Sequence, residues 1–151
     1  VNVFAAHPDS IVIGADQVAH LDGESFGKPV NDEDHLNRLR MLCGREHQLT
    51  TGVCVLSKEF ERAFSVTTGV RFRSDIEDFE LRAYVASREG SGCAGGYQIE
   101  GRGAWFIESL SGDWFNGIGL PVLHVVGVLR TEGWRIGDAI GPVLAPPDGL
   151  G

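Results

Sequence analysis

The sequence predicts an α/β domain in which a mixed twisted sheet is flanked by helices, and three observations predict it. Runs of β-branched and aromatic residues of strand length alternate with segments whose apolar residues recur at helical spacing. The first apolar run, SIVIGAD (10–16), shows no period-two alternation, as expected of a strand covered on both faces. Glycine, at 21 of 151 residues, is well above its usual share of about 7% and gathers where one element gives way to the next.

The elements follow in order. VAHLDGESFGKPV (18–30) reads as two short extended pieces around the hairpin signal Asp22-Gly23. Asn31 caps a helix, NDEDHLNRLRMLCG, with acids in its first turn, Leu36, Leu39 and Leu42/Cys43 on one face, and Gly44 just beyond its end. HQLTTGVCVL (47–56) and RAFSVTTGVRFR (62–73) are strands joined by a polar turn at Ser57–Glu61. Ser74 and Glu77 have the spacing of a capping box for a second helix, with Ile76, Phe79, Ala83 and Tyr84 directed inward. GSGCAGGYQIEGRG (90–103) is a loop whose glycines allow close backbone approach or positive φ. AWFIESLSGDWFN (104–116) reads as a strand and a turn. Pro121 starts a final helix, PVLHVVGVLRTEG, that Gly133 stops. Residues 1–133 are expected to form one domain, and the Gly/Pro-rich segment 134–151 a loosely ordered tail.

Composition narrows the function. A net charge of −8 disfavours long nucleic acids as partners, although a few local cations and a metal still allow a small polyphosphate. No apolar stretch approaches the roughly 20 residues needed to span a bilayer, and Val1 opens no signal-peptide pattern. The missing initiator methionine suggests a fragment or a processed chain. Cys43, Cys54 and Cys93 form no C-x-x-C, which suits buried thiols in a reducing cytoplasm. His7, His20, His35, His47 and His124 lack metal-ligand spacing and read as surface or satisfied core residues.

Two motifs fail on context. GESFG (23–27) matches the nucleophile elbow, but Ser25 lies in a hairpin, not between a strand and a helix. GSGCAG (90–95) matches a dinucleotide fingerprint, yet a helix precedes it and none opens within it.

Asp16, Lys28 and the loop AGGYQIEG (94–101) survive. A carboxylate at a strand's C-terminal end projects into the crevice where open α/β sheets bind ligands. It can hold a divalent cation or take a proton from water. Lys28, set by the following proline in extended backbone, offers a point charge for phosphate. The glycines of the loop permit a nucleotide to approach, and Gln98 or Glu100 is placed to read a base edge. The plainer readings are a strand-end cap for Asp16, a solvated hairpin lysine for Lys28 and an ordinary surface loop.

In order and spacing over about residues 10–130, IGADQV, GKP, TTGV, CAGGYQIEG and GIGLP together resemble the Maf family, the septum-formation-inhibitor-like nucleoside triphosphate pyrophosphatases. The resemblance implies an ITPase-like α/β fold. It also implies cleavage of a nucleoside triphosphate between its α and β phosphates with Mg²⁺ or Mn²⁺, in a cytoplasmic house-cleaning role. Asp16 would be the catalytic proton acceptor and the metal-side carboxylate, and Lys28 the phosphate contact. Gln17 and Glu100 fall where the family sets base specificity, and Asp-Gln with Ile-Glu-Gly is similar to the 7-methyl-GTP branch. A carboxylate accepts hydrogen bonds and donates none, so Glu100 complements the N1–H and N2–H₂ donors of guanine. Facing uracil or thymine it would meet carbonyls, a mismatch of about 1–3 kcal/mol when buried. The expected substrate is thus a modified guanine nucleotide, with thymidine and uridine triphosphates as the alternative. Tyr97 is expected either to support the loop by packing or to belong to the core. Family members are commonly dimers, so a homodimer is implied, and Trp105, Trp114 and Phe115 would serve a core or that interface.

The departure from the family pattern matters too. The Ser-x-Ser-x-Arg-Arg segment that opens the family, and a glutamate soon after it, do not occur in these residues. The fold is therefore expected to lack its first strand–helix unit, to expose a sheet edge and to be poorly stable and weakly active or inactive. Loss of those arginines also motivates a different class of function, a non-catalytic nucleotide-binding regulator of cell division.

Overall fold

The computed structural model describes residues 3–140. By contact the chain divides into Val1–Pro121 and Val122–Gly151. The first unit is built on five strands, β1 (Val12–Leu21), β2 (Glu24–Phe26), β3 (Glu46–Leu56), β4 (Glu61–Phe72) and β5 (Ile107–Ser111), in the order β2-β1-β3-β4-β5. Every pairing among them is antiparallel. The α/β class holds, but each neighbour is reached by a turn or a long return. No parallel pairing occurs among the described strands.

Four helices belong to this unit: α1 (Val3–Ala6), α2 (Asp32–Leu42), α3 (Asp78–Ser87) and α4 (Trp114–Ile118). The β1–β2 hairpin forms where Asp22-Gly23 predicted it, with φ of 53° and 85° at those residues. Asn31 caps α2 by accepting the Asp34 N–H at 2.8 Å. Its loss would cost about 1 kcal/mol. Leu39 and Leu42 of α2 are buried, and Gly44 follows in the left-handed region at φ 69°. Burying each leucine is worth about 1.5–3 kcal/mol.

The second long helix departs from the sequence reading. α3 begins after Glu77, whose N–H donates to the Glu80 carboxylate at 2.8 Å, so the start is set three residues later than Ser74. Its inward residues are Leu81, Tyr84 and Val85, while Phe79 is 66% exposed and Ala83 is also exposed. Moving the start rotates the buried face, because each residue turns the helix by about 100°.

The core lies where α2 and α3 cover one face of the sheet. Ala19, Leu49, Val70 and Phe72 from the strands meet Leu39, Leu42, Leu81 and Tyr84 from the helices, with Tyr97, Ile99 and Phe106 closing the cluster. Period-two alternation shows in β3, where His47, Leu49, Thr51, Val53 and Val55 are all buried. β1 differs. Residues 13–16 are exposed, and β2 pairs only Ala19–Leu21 of its outer edge, so 12–18 have no strand on that side among the described residues. The expected burial on both faces does not hold there, and the expected open edge does.

The second unit holds α5 (Val122–Thr131) and α6 (Ile136–Ile140). Pro121 and Gly133, the latter at φ 94°, flank α5 as its sequence implied. Residues 136–140 are helical instead of loosely ordered, with Asp138 accepting the Arg135 N–H at 2.7 Å. The rest of the expected tail, 141–151, lies outside the described residues. No described helix is long and apolar enough to cross a membrane.

Candidate active site

Asp16 and Gln17 are consecutive on β1, so their side chains leave opposite faces of the strand. Gln17 shares the core face with its register partner Thr51 on β3. Asp16 is exposed, and its Oδ1 accepts the Gln17 N–H at 3.1 Å, leaving most of its acceptor capacity open. The hairpin then returns the chain, and Gly27-Lys28-Pro29 leads from β2 into α2, which leaves Lys28 exposed.

The third contribution is the loop 90–103, two short 3₁₀ turns followed by an extended pass and a third 3₁₀ turn. Two glycines show why it closes. A Cβ at Gly90 would lie 2.0 Å from the Gly96 carbonyl oxygen, and one at Gly96 (φ +83°) would lie 2.8 Å from the His35 ring. His35 Nε2–H donates to the Gly96 carbonyl, Gln98 N–H donates to the Tyr84 hydroxyl at 3.0 Å, and Glu89 accepts the Arg102 N–H at 2.6 Å. The buried Tyr97 ring stacks edgewise on Phe72, and its hydroxyl lies 2.6 Å from His47 Nε2. Tyr97 thus packs as the sequence suggested, in the core beneath the loop.

The result is a cavity of about 220 Å³ that Asp16, Gln17, Lys28 and Glu100 all line, with Cys93, Gln98 and Ile99 from the loop and Gly117 and Ile118 from α4. All four residues singled out from the sequence meet here, drawn from a strand, a hairpin exit and a distant loop. Larger hollows occur elsewhere in this unit, but none combines those four groups.

The electrostatics are those of a partly dry wall. Burial pushes the Cys93 thiol up, with Gln98 and Lys28 opposing the rise and Glu100 and Glu89 adding to it. Burial also raises Tyr97 and Tyr84, keeping both phenols protonated as packing and hydrogen-bonding groups. His47, 1% exposed, is held down to about 4 by the same desolvation and is neutral at pH 7.

Sequence reasoning missed the wall behind Gln17. Its carboxamide nitrogen donates to Thr51 Oγ1 at 3.0 Å and to the Asn116 backbone carbonyl at 2.6 Å. Asn116 is fully buried on α4 and donates from Nδ2 to the Leu49 carbonyl and to Thr68 Oγ1. Thr68 in turn donates to the Asp113 carbonyl, and Asp113 caps α4 through the Phe115 N–H. The only sequence signal for α4 was an aspartate ahead of a short polar-aromatic stretch, which reads equally well as a turn.

Among the described residues no three His, Cys, Asp or Glu side chains cluster to hold a metal ion. Magnesium, however, binds through one or two carboxylates and fills its shell with substrate phosphates and water. Asp16, exposed on the cavity with open lone pairs, fits that manner of binding.

Comparison with known proteins shows the family. A family model described as "Maf-like protein" matches residues 1–132. A dTTP/UTP pyrophosphatase of Bacillus velezensis is 38% identical over 128 residues, 85% of this chain and 67% of that protein. One from Exiguobacterium sibiricum is 42% identical over 117 residues, 78% of this chain and 60% of its own. A third, from Thermococcus onnurineus, is 38% identical over 125 residues, 83% and 67% of the two chains. The chain therefore spans between 60% and 67% of the length of these relatives. With a family model that matches residues 1–132 and so covers nearly all of the described residues, this chain is a member of the Maf-like family.

Proposed function

We propose that the protein is a nucleoside triphosphate pyrophosphatase. Water adds at the α phosphorus, the α–β phosphoanhydride bond breaks, and a nucleoside monophosphate and pyrophosphate leave. The observation that carries this reading is the convergence of Asp16, Gln17, Lys28 and Glu100 on one cavity. Asp16 takes the proton of the attacking water and is the carboxylate that would hold a divalent cation, which when bound neutralises phosphate charge. Lys28 binds a phosphate oxygen as a point charge. Gln17 and Glu100 face the nucleoside.

Thymidine and uridine triphosphates are the preferred substrates in this reading. The names of the relatives support them, and this displaces the guanine preference expected from Glu100. One observation keeps 7-methyl-GTP as a second reading: Glu100 lines the cavity, and a carboxylate complements guanine's donors. Pyrophosphate release from dTTP, UTP and 7-methyl-GTP, with Mg²⁺ or Mn²⁺ and then with chelator, tests both. Turnover of a pyrimidine triphosphate that disappears in Asp16→Asn is expected. Tight binding with no turnover of any triphosphate would favour the regulatory alternative and overturn the catalytic one.

A further inference from the structure

We infer that Thr51 and Asn116 are positioning residues that fix the polarity of Gln17, so that Gln17 meets the base only through its carbonyl oxygen and selects a ring N–H. This rests on the reading above that Gln17 faces the nucleoside. The deciding contact is the 2.6 Å approach to the Asn116 backbone carbonyl. A carbonyl oxygen can only accept, so the Gln17 atom beside it must be the NH₂ group, whichever way the carboxamide might otherwise turn. The second hydrogen of that NH₂ goes to Thr51 Oγ1 at 3.0 Å. Both donors are consumed. The carbonyl oxygen has no hydrogen-bond partner among the described residues, and Gln17 lines the cavity.

The lock is itself built in. Thr51 and Asn116 are both fully buried. Asn116 cannot drift, because its side chain bonds to the Leu49 carbonyl and Thr68 Oγ1, while Asp113 holds the start of α4. Rotating the Gln17 amide would set two carbonyl oxygens against each other in a dehydrated wall.

The chemical consequence separates two bases that differ little in size. Uracil and thymine present N3–H, which the Gln17 oxygen accepts. Cytosine presents a bare N3 lone pair, which would face that oxygen unpaired. The site then discriminates UTP from CTP through an acceptor whose direction is set from behind.

The test compares kcat/KM for UTP, CTP and 3-methyluridine triphosphate in the parent, Thr51→Val, Thr51→Ser and Gln17→Met. The parent is expected to favour UTP over both others by about tenfold or more. Thr51→Val, which frees one amide hydrogen in a near-isosteric background, should shrink that ratio to about threefold, chiefly by raising KM for UTP, and Thr51→Ser should restore it. If Thr51→Val melts well below the parent, Gln17→Met carries the test, with UTP and CTP then used alike. An unchanged UTP/CTP ratio in folded Thr51→Val and in Gln17→Met, or a parent indifferent to N3 methylation, overturns the inference while leaving the pyrophosphatase intact. Absence of both binding and turnover for every triphosphate overturns the underlying reading, and this inference with it.

Discussion

His47 shows how a single side chain can report on the whole core. Its ring is buried against Phe72 and Tyr97, with Nε2 at the Tyr97 hydroxyl. Its folded value of about 4 lies below the ordinary 6.5. Below about pH 6.5 the unfolded chain takes up a proton that the folded chain refuses, so stability is lost between pH 6.5 and 4 and the loss levels off beneath. The size of the effect is about 3 kcal/mol. Thermal melts across that range should show the decline, and His47→Gln, which keeps a partner for Tyr97 without titrating, should flatten it. Glu100 makes a second prediction at this scale. In Glu100→Gln the amide gains a donor for a pyrimidine carbonyl, so kcat/KM for dTTP should rise relative to 7-methyl-GTP by about fivefold or more. An unmoved ranking would mean that Glu100 does not touch the base.

At the scale of elements, the loop 90–103 is the part on which the cavity depends. It is long, yet its ends and middle are pinned to α2 by His35, to α3 by Tyr84 and to itself by Glu89. Gly90→Ala would set a methyl group 2.0 Å from the Gly96 carbonyl, a contact that backbone must move to relieve. A stability loss of about 2 kcal/mol or more is expected, together with weaker nucleotide binding, measurable by chemical melts and calorimetry. The same loop shows what a sequence can convey about an element. The glycine density marked it as a place of close approach, but not which contacts stay inside the loop, as Gly90 with Gly96, and which reach across the fold, as Gly96 with His35. α3 gives the complementary lesson. Its existence was legible, whereas its start moved from Ser74 to Glu77 because Glu80 reaches the Glu77 N–H, and Phe79 turned outward with it.

For the whole unit, charge and edge matter most. Asp16 and Glu100 give the cavity wall two carboxylates against one lysine, in a chain of net charge −8. A triphosphate is repelled by that field unless a divalent cation accompanies it. Chelation should therefore weaken nucleotide affinity as well as turnover, and Lys28→Met should lower affinity for triphosphate more than for the free nucleoside. The open edge of β1 carries a separate consequence. Residues 12–18 have no strand on their outer side among the described residues, and Ile13 is 41% exposed, a template for strand addition. Ile13→Lys should reduce concentration-dependent association, read by light scattering.

Asp16, Lys28, Gln17 and Glu100 could be found in the linear chain because each stands in a local pattern: an acid after an apolar run, a Lys-Pro exit, a glycine-flanked loop; the strand end expected at Asp16 does not form, since β1 runs on to Leu21 and leaves Asp16 and Gln17 in its middle. The helix cap at Asn31 and the turn at Asp22-Gly23 were legible for the same reason, since their hydrogen bonds and dihedrals are set within a few residues. Thr51 and Asn116 stand in no such pattern. One lies in the middle of a strand and the other 65 positions later on a five-residue helix, and only the antiparallel register of β1 with β3 and the seating of α4 bring both to the same amide. Local sequence determined which chemical groups the site contains. Long-range packing decided which way one of them points, because a carboxamide has no preferred end until a buried carbonyl supplies one.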